Sequence, residues 1–149
     1  IHFAGLIAVG ESVTEPGLYW RRNVAESITL FDALAGLGIE NVVFSSSAAV
    51  YGNPIEVPIP EDHPKQPTSP YGNTKMVVEL VLEDLSTAGK LQAVSLRYFN
   101  AAGASCRRRE RHIPETHLCP LALRAGRDGT AMNVFGTVYP TPGGTAIRD

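Results

Sequence analysis

Tyr71-Gly72-Asn73-Thr74-Lys75 sets a phenol and an ammonium four residues apart, and on a helix that spacing brings both to one face. A phenol with an ordinary pKa of about 10 is a weak base at neutrality, and a fixed cation beside it favours the phenolate. The run Ser45-Ser46-Ser47 closes a hydrophobic segment upstream. A serine hydroxyl delivered from a strand end completes a proton relay to a sugar or alcohol oxygen. These residue types in this pattern predict hydride chemistry on an alcohol, of dehydrogenase type.

The elements that must position them alternate between strand and helix, which predicts an α/β fold with a parallel sheet. Ile1-His2-Phe3-Ala4-Gly5 reads as the end of a buried strand, followed by a Gly5–Gly10 loop. Apolar residues Val24, Ile28, Leu30, Phe31, Leu34 and Leu37 approximate helical spacing, predicting a helix from about Pro16 to Leu37 that Gly36 and Gly38 end. Asn41–Ser45 is predicted as a short buried strand, followed by a loop rich in proline (Pro54, Pro58, Pro60, Pro64, Pro67). Ser69 is the expected N-cap and Pro70 the expected first residue of a helix running to about Leu85. Leu91–Tyr98 is the next expected strand, then come a helix near Pro120–Gly126 and an extended piece at Met132–Phe135. Ligands of open parallel sheets bind beyond the carboxyl ends of the strands. Those ends carry Phe3-Ala4-Gly5, Ser45-Ser46-Ser47 and Tyr98-Phe99-Asn100.

With 149 residues, 44% of them hydrophobic and 19% charged, the chain is expected to bury one core. A net charge of −2 gives no general electrostatic reason to expect nucleic acid or an anionic membrane, and no apolar run is long enough to span a bilayer. Cys106 and Cys119 lack Cys-x-x-Cys spacing, which points to reduced thiols and a cytoplasmic setting. His2, His63, His112 and His117 are scattered without metal-ligand spacing, so no metal is expected. Arg107-Arg108-Arg109-Glu110-Arg111 reads as a solvated loop. The chain starts inside a strand and stops at Ile147-Arg148-Asp149 without a closing element, which predicts a fragment of a larger enzyme.

Six motifs follow one another along essentially the whole chain: His2–Ser12, Ser45–Gly52, Ser69–Lys75, Leu96–Ala104, Pro114–Leu118 and Val134–Gly136 with Tyr139-Pro140-Thr141 and Arg148-Asp149. In this order they resemble the extended short-chain dehydrogenase/reductases, and among them the UDP-glucose 4-epimerases. The resemblance implies a Rossmann-type parallel sheet, with residues 1–104 the C-terminal part of an NAD-binding domain and 105–149 the start of a smaller UDP-sugar-binding region. It implies reversible interconversion of UDP-glucose and UDP-galactose by transient oxidation at the sugar 4-position, with tightly held NAD. A related epimerase of UDP-N-acetylglucosamine or a UDP-pentose, or a remnant without a complete NAD site, are the alternatives.

By the same resemblance Tyr71 takes the proton of the 4-hydroxyl, Lys75 holds the nicotinamide ribose and stabilises the phenolate, and Ser47 bonds the 4-oxygen. Phe3, Ala4, Gly5, Leu6, Asn23 and Phe99 are implied to line the cofactor. Asn100, His117 and Leu118 are implied to hold the UDP part, Asn133, Val134 and Phe135 to pack on uridine, and Arg148 to pair with the diphosphate. A homodimer is expected on the same ground. Several features depart from the pattern: no glycine-rich dinucleotide fingerprint follows the first strand, Ile7 stands where lysine is frequent, and Arg22 precedes Asn23 where two asparagines are usual. Ala48-Ala49 follows Ser47 where nucleotide-sugar dehydratases carry an acid and a base, which argues against dehydration.

Overall fold

In the computed structural model the chain divides into two compact units, Ile1–Phe99 and Asn100–Asp149; the structure describes residues 1–101, 103, 115, 117–133, 136 and 138–144. The first unit holds α1 (Val9–Thr14), α2 (Pro16–Tyr19), a π-helical segment (Trp20–Ala25), α3 (Glu26–Gly36), β1 (Asn41–Ser47), a 3₁₀ turn (Ala48–Val50), α4 (Pro70–Thr87) and β2 (Gln92–Tyr98). The described helix of the second unit is α5 (Leu118–Asp128).

β1 and β2 pair in parallel, with Ser45 opposite Leu96, Ser46 opposite Arg97 and Ser47 opposite Tyr98. On the other side of β1, His2 makes a single parallel bridge to Phe44, its N–H donating to Val43 O at 2.8 Å and its carbonyl accepting from Ser45 N at 3.0 Å. The first segment thus joins the sheet at one residue rather than as a full strand. β1 runs two residues beyond its expected end. Its outer serines stay in the ladder because the Ser46 hydroxyl finds a buried carboxylate, Glu79, instead of solvent.

Side chains alternate across a strand, and the helix-facing positions of β1 and β2 meet α3 and α4. Val24, Phe31, Val42, Phe44, Val78, Leu82 and Leu91 form the buried core there. Val94, Leu96 and Tyr98, on the other face of β2, are exposed.

The expected helix over Pro16–Leu37 is present, but its middle is π-helical. The preceding segment is helical from Val9, so the Gly5–Gly10 loop is shorter than expected. A wider turn at Trp20–Ala25 puts Asn23 inside, where it bonds the backbone of the first loop; that tertiary demand is invisible to apolar periodicity. α4 starts as expected: Ser69 Oγ accepts from Gly72 N–H at 3.1 Å and Pro70 occupies the first turn. Ser69→Ala is expected to lower stability by about 1 kcal/mol, read as a lower urea midpoint with an unchanged slope. The extended piece expected at Met132–Phe135 has no regular structure at Met132 and Asn133; Val134 and Phe135 lie outside the described residues.

Candidate active site

The serine strand and the start of α4 meet at the carboxyl end of β1. Tyr71 is 8% exposed and Lys75 5%. Two contacts fix the backbone at Tyr71. Its N–H donates to the Ser12 hydroxyl at 3.1 Å, and its carbonyl accepts from Thr74 Oγ1 at 2.7 Å. Burial raises the Tyr71 phenol above its ordinary pKa, and a hydrogen bond with Ser47 pulls the other way. Lys75 lies one helical turn further on in α4. Its Nζ donates to Ser45 O at 2.8 Å and lies 5.9 Å from the centre of the Tyr71 ring and 4.8 Å from that of Phe44. By itself the fold holds the phenol above its ordinary value because burial dominates, whereas the spacing alone predicts a cation that favours the phenolate. Ser47 ends the strand in extended conformation, its Oγ accepting from Ala49 N–H at 3.2 Å.

Desolvation pushes Lys75 down from 10.5 to about 8. Below pH 8 both folded and unfolded chains hold the proton, and the folded chain carries the desolvation cost. As the pH rises past 8 the folded chain releases the proton first, so the unfolded chain binds more protons and stability rises. Tyr19, pushed up to about 12 by burial and by its bond to Glu11, gives the opposite slope above pH 10, where an unfolded tyrosine ionises first. Urea unfolding is thus expected to show a rise of roughly 1–3 kcal/mol between about pH 8 and pH 10, absent in Lys75→Met.

Other expected site residues fall into separate groups. Phe3 is 64% exposed and stacks on Tyr98 with ring centres 6.4 Å apart. Ala4, Gly5 and Leu6 line a cavity of about 390 Å³ with His2, Arg22 and Glu26; Tyr71, Lys75 and Ser47 are not among its walls. Asn23 is buried, its Oδ1 accepting from Leu6 N–H at 2.8 Å and its Nδ2 donating to Leu6 O at 3.0 Å and Thr74 Oγ1 at 3.2 Å. It clamps the first loop onto α4. Arg22 is paired with Glu26 at 2.6 Å on the surface. Phe99 stacks on Tyr51 with ring centres 6.4 Å apart.

In the second unit, His117 precedes α5 and Leu118 is its first residue. Glu115 Oε1 accepts from the His117 N–H at 2.9 Å and meets its Nδ1 at 2.8 Å. Asn100 and Asn133 are exposed. Val134, Phe135, Arg148 and the Arg107–Arg111 run lie outside the described residues.

The chain matches the model of the NAD dependent epimerase/dehydratase family over residues 1–149. The chain belongs to that family. UDP-glucose 4-epimerase from Corynebacterium glutamicum is 49% identical over all of this chain and 46% of that protein. The crystal structure of UDP-glucose 4-epimerase from Brucella ovis in complex with NAD superposes with a TM-score of 0.88 at 44% identity, over 96% of this chain and 45% of that one. UDP-N-acetylglucosamine 4-epimerase from Methanobrevibacter ruminantium, in complex with UDP-N-acetylmuramic acid, gives a TM-score of 0.79 at 36% identity, over 91% and 44%. The chain spans about half the length of the curated relatives it matches. These neighbours are α/β epimerases, in keeping with the Rossmann-type sheet expected from the sequence.

The donor set suits the nicotinamide end of this family's cofactor. A phenol, a serine hydroxyl and an ammonium gather at one strand end, and Gly5, at φ +154°, leaves room where a Cβ would stand 3.1 Å from Asn23 Oδ1. Among the described residues no cluster of His, Cys, Asp and Glu has the form of a metal site, and no helix is long and apolar enough to cross a membrane.

Sequence reasoning missed four residues that hold the site. Ser12 and Thr74, both fully buried, anchor the backbone at Tyr71. Gly72 lets α4 lie against the 3₁₀ turn after Ser47. Glu79, 1% exposed, gathers Ser46, Lys65 and Arg97. Only Glu79 left a signal: it continues the four-residue spacing of Tyr71 and Lys75.

Proposed function

We propose that the full-length protein interconverts UDP-glucose and UDP-galactose by transient oxidation at the sugar 4-position with NAD. The observation that carries this reading is the buried Tyr71 phenol against Ser47, with the Lys75 ammonium one helical turn further on. NAD, when bound, takes up hydride from the sugar and gives it back. Tyr71 accepts the proton of the 4-hydroxyl and later returns it, which is general base and then general acid catalysis. Ser47 bonds the 4-oxygen and orients that proton. Lys75 holds the nicotinamide ribose, and its charge favours the phenolate against the desolvation that raises Tyr71.

Phe3, Ala4, Gly5, Leu6, Asn23 and Phe99 are proposed to line the cofactor, with Asn23 also fixing the Leu6 backbone. Asn100, His117 and Leu118 would hold the UDP part, Asn133, Val134 and Phe135 the uridine, and Arg148 the diphosphate through charge-assisted bonds. Residues 1–104 then supply the catalytic part of the NAD-binding domain and 105–149 the beginning of the sugar-nucleotide region. A cytoplasmic homodimer completes the proposal. Ala48 and Ala49, in the turn after Ser47, carry no proton to move, which favours epimerisation over dehydration. A coupled assay on the full-length protein, supplied with UDP-galactose and NAD, is expected to yield UDP-glucose. Turnover of UDP-N-acetylglucosamine or UDP-pentose alone would overturn the substrate assignment.

A further inference from the structure

Three residues four apart on α4 meet three consecutive serines of β1. Tyr71 meets the Ser47 hydroxyl, Lys75 donates to the Ser45 carbonyl at 2.8 Å, and Glu79 Oε1 accepts from Ser46 Oγ at 2.5 Å. The first two pairs belong to the chemistry proposed above; the third lies deeper and touches no reacting group. We propose that Glu79 is a positioning residue, whose carboxylate sets the catalytic helix against the serine strand and so holds Ser47 against Tyr71. This inference rests on the epimerase reading of the same site.

The carboxylate is saturated from three segments besides its own. Oε1 accepts from Ser46 of β1 and from Arg97 Nε of β2 at 3.0 Å, while Oε2 accepts from the second Arg97 nitrogen at 2.8 Å and from Lys65 Nζ of the proline-rich loop at 3.0 Å. Ser46 and Arg97 stand opposite each other in the ladder, so one carboxylate reads the register of both strands. Arg97 continues to Tyr51 Oη at 2.8 Å and Glu61 O at 2.9 Å. Tyr51 directly follows the 3₁₀ turn that Ser47 caps. The network therefore grips the chain on both sides of Ser47, at Ser46 before it and at Tyr51 after it.

Burial alone would raise the Glu79 carboxyl, yet bonds from Arg97, Ser46 and Lys65 hold it below the ordinary carboxylate range. A buried ion pair is weak evidence for stability, because well-packed apolar side chains of similar volume often do as well; fixing one register is its better-attested use. Four-point bonding at the level of the serine run is that use.

The test compares Glu79→Gln and Ser46→Ala in the full-length protein. Gln keeps the shape and gives up the ionised acceptor, whereas Ser46→Ala removes one hydrogen bond and leaves the ion pairs, so it folds even where Gln does not. An ångström of misplacement can cost a hundredfold in rate, so kcat is expected to fall about tenfold in either variant, with KM for the UDP-sugar unchanged. Exchange of the Ala49 amide, which donates to Ser47 Oγ, is expected to quicken about tenfold while the core amides of Val78 and Leu82 keep their protection. Lower stability with unchanged kcat and unchanged Ala49 exchange overturns the inference and leaves Glu79 a merely structural residue. The exchange measurement needs no substrate, so an inactive wild type counts against the epimerase reading while Ala49 still decides the positioning role.

Discussion

Tyr71→Phe is expected to lower turnover of UDP-galactose about 10³-fold with little change in KM. Phenylalanine keeps the ring that packs beside Lys75 and removes only the hydroxyl, so the folded chain should survive within about 1 kcal/mol. The loss falls on the step that takes and returns the proton of the 4-hydroxyl, and positioned acid–base groups contribute about 10²–10⁴-fold. A residue that acts only in the transition state lowers kcat and kcat/KM together. Steady-state kinetics of wild type and variant check this, and near-normal turnover would show that another group moves the proton.

Gly72→Ala is expected to damage the site although glycine has no chemistry of its own. Alanine favours a helix interior by about 1 kcal/mol over glycine, so propensity alone predicts a gain. The position decides otherwise. A Cβ on Gly72 would stand 2.6 Å from Ala49 O and 2.9 Å from Pro67 Cβ, a backbone oxygen and a ring carbon that have little freedom to retreat. α4 must then move off the turn after Ser47, and Tyr71 moves with it. Overpacking of this kind costs about 1–3 kcal/mol, and the misplaced phenol is expected to cost about 100-fold in kcat. A thermal melt together with the kinetics checks both; a more stable, fully active variant would mean that the helix start tolerates displacement.

The sequence made Tyr71 and Lys75 legible because four-residue spacing is a local property of one helix. Ser69 and Pro70 were legible for the same reason, as the signals of a helix start. Ser46 was misread as lying beyond the strand because its reason for staying in the ladder is Glu79, 33 residues away. Arg97 and Lys65 reach the same carboxylate from 18 and 14 residues away, and no periodicity encodes such a meeting. Asn23 makes three bonds to Leu6 and Thr74 that no spacing announces, and the π-helical turn that allows them follows from tertiary contacts. The phenol's electrostatics were the least legible. Spacing put the cation nearby, but only the fold revealed that its ammonium donates a hydrogen bond to Ser45 O and that burial dominates at Tyr71.

In the proposed reaction the hydrogen at sugar C4 leaves and returns inside the site, while Tyr71 handles only the proton on oxygen. Epimerisation of UDP-galactose by the full-length protein in deuterated water, read by mass spectrometry and proton NMR of the UDP-glucose formed, tests it most directly. Product without deuterium at C4 is expected. Deuterium incorporated at C4 in step with turnover would contradict it, since the carbon-bound hydrogen would then have come from solvent.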